Sequence, residues 1–434
     1  AVTSVGGTVV SGKYNSTNTS ITVTVPIAND STLSGGTITI QSKDASGLFA
    51  DLESDVSISS INTNQVVSIS DTDFEAFSQF GQGDTMSFTA IITDTSGNAT
   101  TGTTSSSTLF IDTTAPTVSG VTSTASNGSY LNGEIVVVQV NFTEDVTVDT
   151  SGGTPFITLS TGNPSTTNVS YSGGSGNSTL RFNYTVAGTN FSTNLDYSST
   201  SALSANGGTI RDSASNDATL TLPTPGATGS LAANKSIQID NTDPNITGVT
   251  LASDNSTLTV TFSESVYNTI GASGDLEVGD FTLAISGGTA TINATPSTIA
   301  KTSQSVWVLG LGINGTPDGS EELSVLPASA TSIYDSAGNA ASSTTQTNNT
   351  VTLYDQASAT FSSLSISEDN ILTVVFTESV YSTSGGTGNL ENPDFTFSLS
   401  GGSARLSSTN PTNVDSVSTT TFRLSIGLNG TPDG

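Results

Sequence analysis

The chain has no cysteine and no histidine among its 434 residues, and only one tryptophan and one methionine. Without thiols or imidazoles it has no disulfide staples, no cysteine nucleophile, no histidine general base, and none of the ligands that zinc, copper and haem prefer. Cationic side chains are nearly as scarce. Eight Lys and Arg stand against 37 Asp and Glu, for a formal net charge of −29. That balance argues against nucleic acid and anionic membrane surfaces as partners, since both recruit basic patches. No apolar run approaches the roughly 18 residues of a spanning helix, so no membrane insertion is expected. The opening AVTSVGGTVV shows no charged-then-apolar leader and reads as the middle of something longer. Aromatic residues make up 6% of the chain and form no ladder suited to stacking on sugars.

The chain is rich in Ser, Thr and Gly, and its apolar residues fall in regular alternation. In ILTVVFTESVY, Leu372, Val374 and Phe376 alternate with Thr373, Val375 and Thr377, the period of a strand with one buried face. Glu378 then falls on the apolar parity, and Val380 resumes it. The same pattern places Glu264 after Leu258, Val260 and Phe262, and Glu144 after Val138, Val140 and Phe142. Three inward carboxylates at strand ends need something to balance them.

Self-comparison sets the architecture. Residues 254–292 align with 369–406 almost without gaps, and LGINGTPDG (311–319) matches IGLNGTPDG (426–434). A period near 114 residues is too long for a solenoid and suits an immunoglobulin-like sandwich. The strand-like runs are short, bounded by SGG, NG, DG and SGN turns, with no helical period. A recurring seam marks the joints: LFIDTTAPTVSGV (109–121), IQIDNTDPNITGV (237–249) and a degenerate VTLYDQASATFSSL (351–364). In the first two, a proline stiffens the junction and blocks ladder pairing across it. The expected organisation is all-β, tandem sandwiches arranged end to end: 1–112 (divergent), 113–240, 241–355 and 356–434. The last is expected to be incomplete, lacking counterparts of residues 320–356, so that the chain is a piece of a longer polypeptide. The alternative is that another chain donates the missing strands.

IDTTAPTV, VTFSESV and YDSAGNAA resemble the signatures of bacterial Ig-like (Big-type) modules from very large secreted surface adhesins. TPFITLSTG, YSGGSGNSTLRFNYTV and LPTPGATGSLAANKSIQID resemble a repeat of giant secreted proteins of marine and gliding Bacteroidota. The resemblance covers residues 85–434; the first module shares only its TDTSGNAT loop and its exit. It implies a secreted, cell-surface location.

In an Ig-like sandwich the entry of the chain and the turns after the second and sixth strands share one pole. Asp112, Glu144, Asp145, Asp212 and Asn216 are therefore expected to converge at the first full seam. Asp240, Asp243, Glu264, Asp335 and Asn339 are expected at the next, and Asp355 with Glu378 at the third. Packed carboxylates need a counter-charge. A hard divalent cation with six to eight oxygen ligands answers that need, and Ca2+ suits the donor set better than Mg2+. The plainer alternative is a set of Asx-turns in which aspartates such as Asp335 bond backbone amides. Asp71, Asp73 and Glu75 in SDTDFEAF read first as a solvated acidic turn and second as a cation site. NGTPDG reads as a turn, and Trp307 as a core residue. Asn-x-Ser/Thr sequons are frequent enough to permit glycosylation.

The expected role is structural: spacer modules in the shaft of a secreted surface adhesin or filament, stiffened by interdomain calcium. Partners would be further domains or copies of the same polypeptide, with host, surface or glycan ligands bound elsewhere in it. A surface-layer lattice glycoprotein is the alternative, followed by glycan- or protein-binding accessory modules of a secreted enzyme. No catalytic residue is assigned, because the carboxylates recur once per module rather than forming one unique pair in a cleft.

Overall fold

The computed structural model describes residues 1–432, and these form a nearly all-β protein of Ig-like sandwiches, 43% strand and 4% helix. Two compact units are present. The first comprises Ala1–Pro244 with Thr269–Gly274 and Tyr334–Ala341; the second comprises Asn245–Asn268, Asp275–Ile333 and Ser342 onward.

The first unit contains two separate cores. One draws on residues from Val2 to Ile111, centred on Tyr14, Phe74 and Phe88. It lies between a three-stranded sheet (Val2–Val5, Ser20–Ile27, Thr63–Ser70) and a sheet ordered Lys13–Tyr14, Leu109–Ile111, Thr85–Thr93, Thr37–Lys43, Ala50–Ser57. Alternation drives this layering: in Ser20–Ile27, residues 21, 23, 25 and 27 are buried, while the intervening residues are less so. SDTDFEAF forms a short helix, Asp71–Glu75, instead of a turn. Ser70 caps it, and Asp71 and Asp73 occupy its first turn, where carboxylates complement the helix dipole. Glu75 accepts the Tyr14 hydroxyl.

The second core runs from Val121 to Ile239 and includes Phe182, Tyr184 and Tyr197. Its main sheet is ordered Val118–Ser123, Ile135–Asp149, Asn177–Thr185, Thr166–Gly173, Phe156–Ser160, Leu203–Ser204. A parallel pair, Gly128–Tyr130 with Ile237–Ile239, forms a separate two-stranded sheet. The strand expected to finish at Glu144 continues to Asp149, because its register against Asn177–Thr185 slips between Asn141 and Val146. Glu144 thus sits in a bulge, where extra residues re-aim a side chain.

In the second unit the 114-residue repeat appears as two sheets of equal order. Ile246–Leu251, Thr257–Phe262, Val306–Gly310 and Thr298–Ser303 form one; Phe361–Ile366, Ile371–Phe376, Thr421–Ser425 and Asn413–Ser416 form the other. Trp307 is buried in the first, with the Lys301 ammonium 5.7 Å from its ring centre. A covering sheet, Phe281–Ser286, Glu322–Pro327 and Thr350–Thr352, accompanies the earlier copy.

Candidate metal centre

The DSASN turn builds the first seam from within the second core. The Asp212 carboxylate accepts the amides of Ala214 and Asn216 through Oδ1 and the Asn216 side chain through Oδ2, at 2.7–2.8 Å. This is the Asx-turn geometry, which short polar side chains favour by bonding their own backbone. Asn216 is completely buried and also spans the seam: its Nδ2 donates to the Asp112 carbonyl at 2.8 Å, and its Oδ1 accepts from the Ser16 amide and hydroxyl. Nearby, Asn15 Nδ2 donates to the Ala214 carbonyl and Lys13 Nζ to the Ser213 hydroxyl. Both ends of the Asn216 amide are thereby committed to protein partners. It positions the loop and ties it to the first module.

Asp112, Glu144 and Asp212 each bring a carboxylate oxygen within 4.8 Å of the others. Asp112 and Asp212 are buried and Glu144 half-buried. Two like charges at 4.8 Å repel by about 3–4 kcal/mol at an effective dielectric of 20, less where water screens them. Burial pushes the Glu144 carboxyl above its ordinary range, and the charges of Asp112 and Asp212 push it further. The ion pairs among the described residues, Arg211–Asp217 and Lys301–Asp275, involve none of the three. Gln82 Nε2 donates to Asp112 Oδ1, while Gln82 Oε1 accepts the Thr113 amide. Asp145 lies on the opposite parity of the strand and is exposed.

The next seam repeats the turn. Asp335 is buried and accepts the amides of Gly338 and Asn339 through Oδ1 and the Asn339 side chain through Oδ2. Asn339 Nδ2 also donates to the Asp240 carbonyl at 3.0 Å, and Asp240 and Asp335 have carboxylate oxygens within 4.8 Å of each other. Asn241 fixes the seam to the second core by accepting the Asn132 amide and donating to the Ala187 and Asn190 carbonyls. Asp243 is exposed in this seam. Glu264 belongs to the second unit, two residues beyond the strand Thr257–Phe262.

At the third seam, Glu378 lies beside Asp355. A hydrogen bond with Asp355 raises the Glu378 carboxyl above its ordinary range, followed by partial burial and by the charges of Asp355 and Asp318. Asp318, from NGTPDG, was not among the expected residues, and neither were Gln82 and Ser16. Asp318 had one available signal, its recurrence in both copies of that turn. The Ser16–Asn216 contact spans 200 residues and left no periodic trace. The first module carries the same turn at Asp94 and Asn98, exposed to water, where the Asn98 side chain and backbone bonds hold Asp94 below the usual carboxylate range.

No family model and no curated protein matches the chain. Among solved structures, it is similar to the FN1–FN3 domains of chicken CNTN1: 12% identity, TM-score 0.23, covering 78% of this chain and 95% of that one. A second similar structure is a 1.5-MDa bacterial ice-binding adhesin, the subject of work on host cell surface retention: 15% identity, TM-score 0.33, 77% and 88% covered. A third is the titin fragment I67–I69 in an E-to-A variant: 10% identity, TM-score 0.24, 73% and 90% covered.

Proposed function

We propose that the chain is a run of non-catalytic spacer modules from the shaft of a secreted surface adhesin or filament, with Ca2+ at the acidic seam. The observation that carries this is the convergence of Asp112, Glu144 and Asp212 from three elements distant in sequence. The donor set is all oxygen, which fits a hard cation and suits no soft metal. Asp112 ends one module, Glu144 and Asp212 belong to the next, and a shared ion would couple the two. The sequence repeats these donor types at Asp240, Glu264 and Asp335. A net charge of −29 keeps such an array soluble and discourages lateral collapse.

The test is a thermal melt and a solution-scattering profile in millimolar Ca2+ and in chelator, for the wild type and Glu144→Gln. An ion that binds only the native arrangement stabilises it by about 2.7 kcal/mol at a hundred times its Kd. Calcium is expected to raise the melt of the second module and narrow the distribution of particle lengths, and Glu144→Gln to abolish both effects. Identical melts and profiles with and without calcium would return the seam to a hydrogen-bonded turn alone.

A further inference from the structure

We propose that the free edge of strand Thr63–Ser70 in the first module is a self-association site, where the same strand of a second copy of this chain pairs with it antiparallel across a two-fold axis. The strand closes the three-stranded sheet ordered Val2–Val5, Ser20–Ile27, Thr63–Ser70, so its outer side has no strand beside it among the described residues. An unpaired row of amides and carbonyls is a template for another strand, and native sheets protect such rows with charge, proline, bulges or a covering segment. The other long edges of this molecule show those devices. Ala50–Ser57 carries Asp51, Glu53 and Asp55 and slips register against its neighbour. Thr298–Ser303 carries Lys301 and a slip, and Val118–Ser123 and Ile246–Leu251 each have a slip. Phe281–Ser286 is covered through the bond from Leu283 N to Ala294 O. Thr63–Ser70 has none of these. Its eight residues hold unbroken register with Ser20–Ile27 and include no charge, proline or glycine.

Charge and symmetry select the occupant. The net charge of −29 holds copies of the chain apart over most of their surface, yet the three strands of this sheet contain no charged residue. A second copy meets least repulsion here, and a basic partner would find no counter-charge in the sheet. Parity sets the register. Asn64, Val66 and Ser68 lie on the exposed face of the strand, while Val67 and Ile69 are buried. A two-fold axis perpendicular to the sheet keeps the outer faces together, so residues of equal parity must meet. Among such registers, Val66 opposite Val66 and Asn64 opposite Ser68 brings together the two apolar side chains that are 59% exposed in the single chain. Gln65 does not obstruct the approach, because its side chain is held by the Ser57 carbonyl and the Ser59 amide. A contact of one strand per copy belongs to the weak, transient class, with a Kd expected at about 10–100 µM. It is independent of the seam ion and gives spacer modules a lateral contact at one defined place.

The experiment uses the whole chain in chelator and high salt, which screens the net charge, with sedimentation velocity and amide exchange followed from about 10 to 500 µM. The mass is expected to rise toward that of two chains, and exchange over Thr63–Ser70 to slow at least about threefold at the highest concentration. Val66→Thr should keep both effects. Val66→Lys and Val66→Glu should each abolish them, because the two-fold axis sets like charge opposite like charge. An equimolar mixture of those two variants should associate again, which also shows that each is folded. Mass and exchange independent of concentration would overturn the proposal, as would association that persists in both charged variants. A mixture that stays monomeric would overturn the pairing of Val66 with Val66. Protection of Thr63–Ser70 that appears only on adding a foreign extended peptide would overturn the second copy as the occupant.

Discussion

Asn216→Ala removes four hydrogen bonds from one buried side chain. The two on the Ser16 side face an exposed residue, so water replaces them at little cost. The other two matter more. The Asp112 carbonyl loses a partner in a buried setting, and Asp212 Oδ2 loses the donor 2.7 Å away. A neutral bond is worth about 1 kcal/mol net and a charge-assisted one about 1.5–3, giving roughly 2–4 kcal/mol in all. For a module of this size that is a fall in Tm of about 10–15 °C. Asn98→Ala provides the internal control. Asn98 makes the equivalent bond to Asp94, at 2.9 Å, but stands in water, so its loss should cost under about 0.5 kcal/mol. Scanning calorimetry of the whole chain in chelator gives the shift, and amide exchange over Ile135–Asp149 assigns it to the second module. A loss below about 1 kcal/mol for Asn216→Ala, or equal losses for the two variants, would refute the argument that burial gives this turn its strength.

Two further outcomes are expected. In chelator the seam should gain stability as pH falls toward 4.5: Glu144 binds its proton more tightly folded than unfolded, so stability is lost as pH rises through its raised folded value. Glu144→Gln should remove that contribution in parallel melts, and a slope unchanged by the substitution would contradict it; Asp94 and Asp149, both held low, lose their stabilisation only below about 4 and do not interfere. Glu321→Gln should cost about 1–3 kcal/mol, because the buried carboxylate accepts the amides of Thr289, Ala290 and Asp318, and the new amide nitrogen would face one of those donors. Fluorescence of buried Trp307, the only tryptophan, reports that module, and an unmoved unfolding midpoint would count against the assignment.

Much of the fold was legible because period-two alternation is a local signal. Leu258, Val260 and Phe262 are buried as their parity requires, and the repeat of residues 254–292 at 369–406 reappears as sheets of equal order. The convergence of Asp112, Glu144 and Asp212 followed from parity plus the topology of an Ig-like sandwich. Other features were not legible. The bulge that carries Glu144 depends on register against Asn177–Thr185, which no single strand encodes. The bonds from Ser16 to the Asn216 side chain join two separate cores across 200 residues, which no local pattern announces.

The two parallel strand pairs have a mechanical consequence. Lys13–Tyr14 runs parallel to Leu109–Ile111, and Gly128–Tyr130 parallel to Ile237–Ile239. In each case the first partner lies near the start of a module and the second near its exit. Tension along the chain drags the early strand backward and the late strand forward, sliding one along the other. The bonds between them, Gly128 N to Ser236 O at 3.0 Å and Asp240 N to Tyr130 O at 3.3 Å, lie across the direction of pull and must break together instead of one at a time. Asp112 and Asp240 immediately follow these two late strands, so the residue that closes each shear pair is also the residue that enters the next seam.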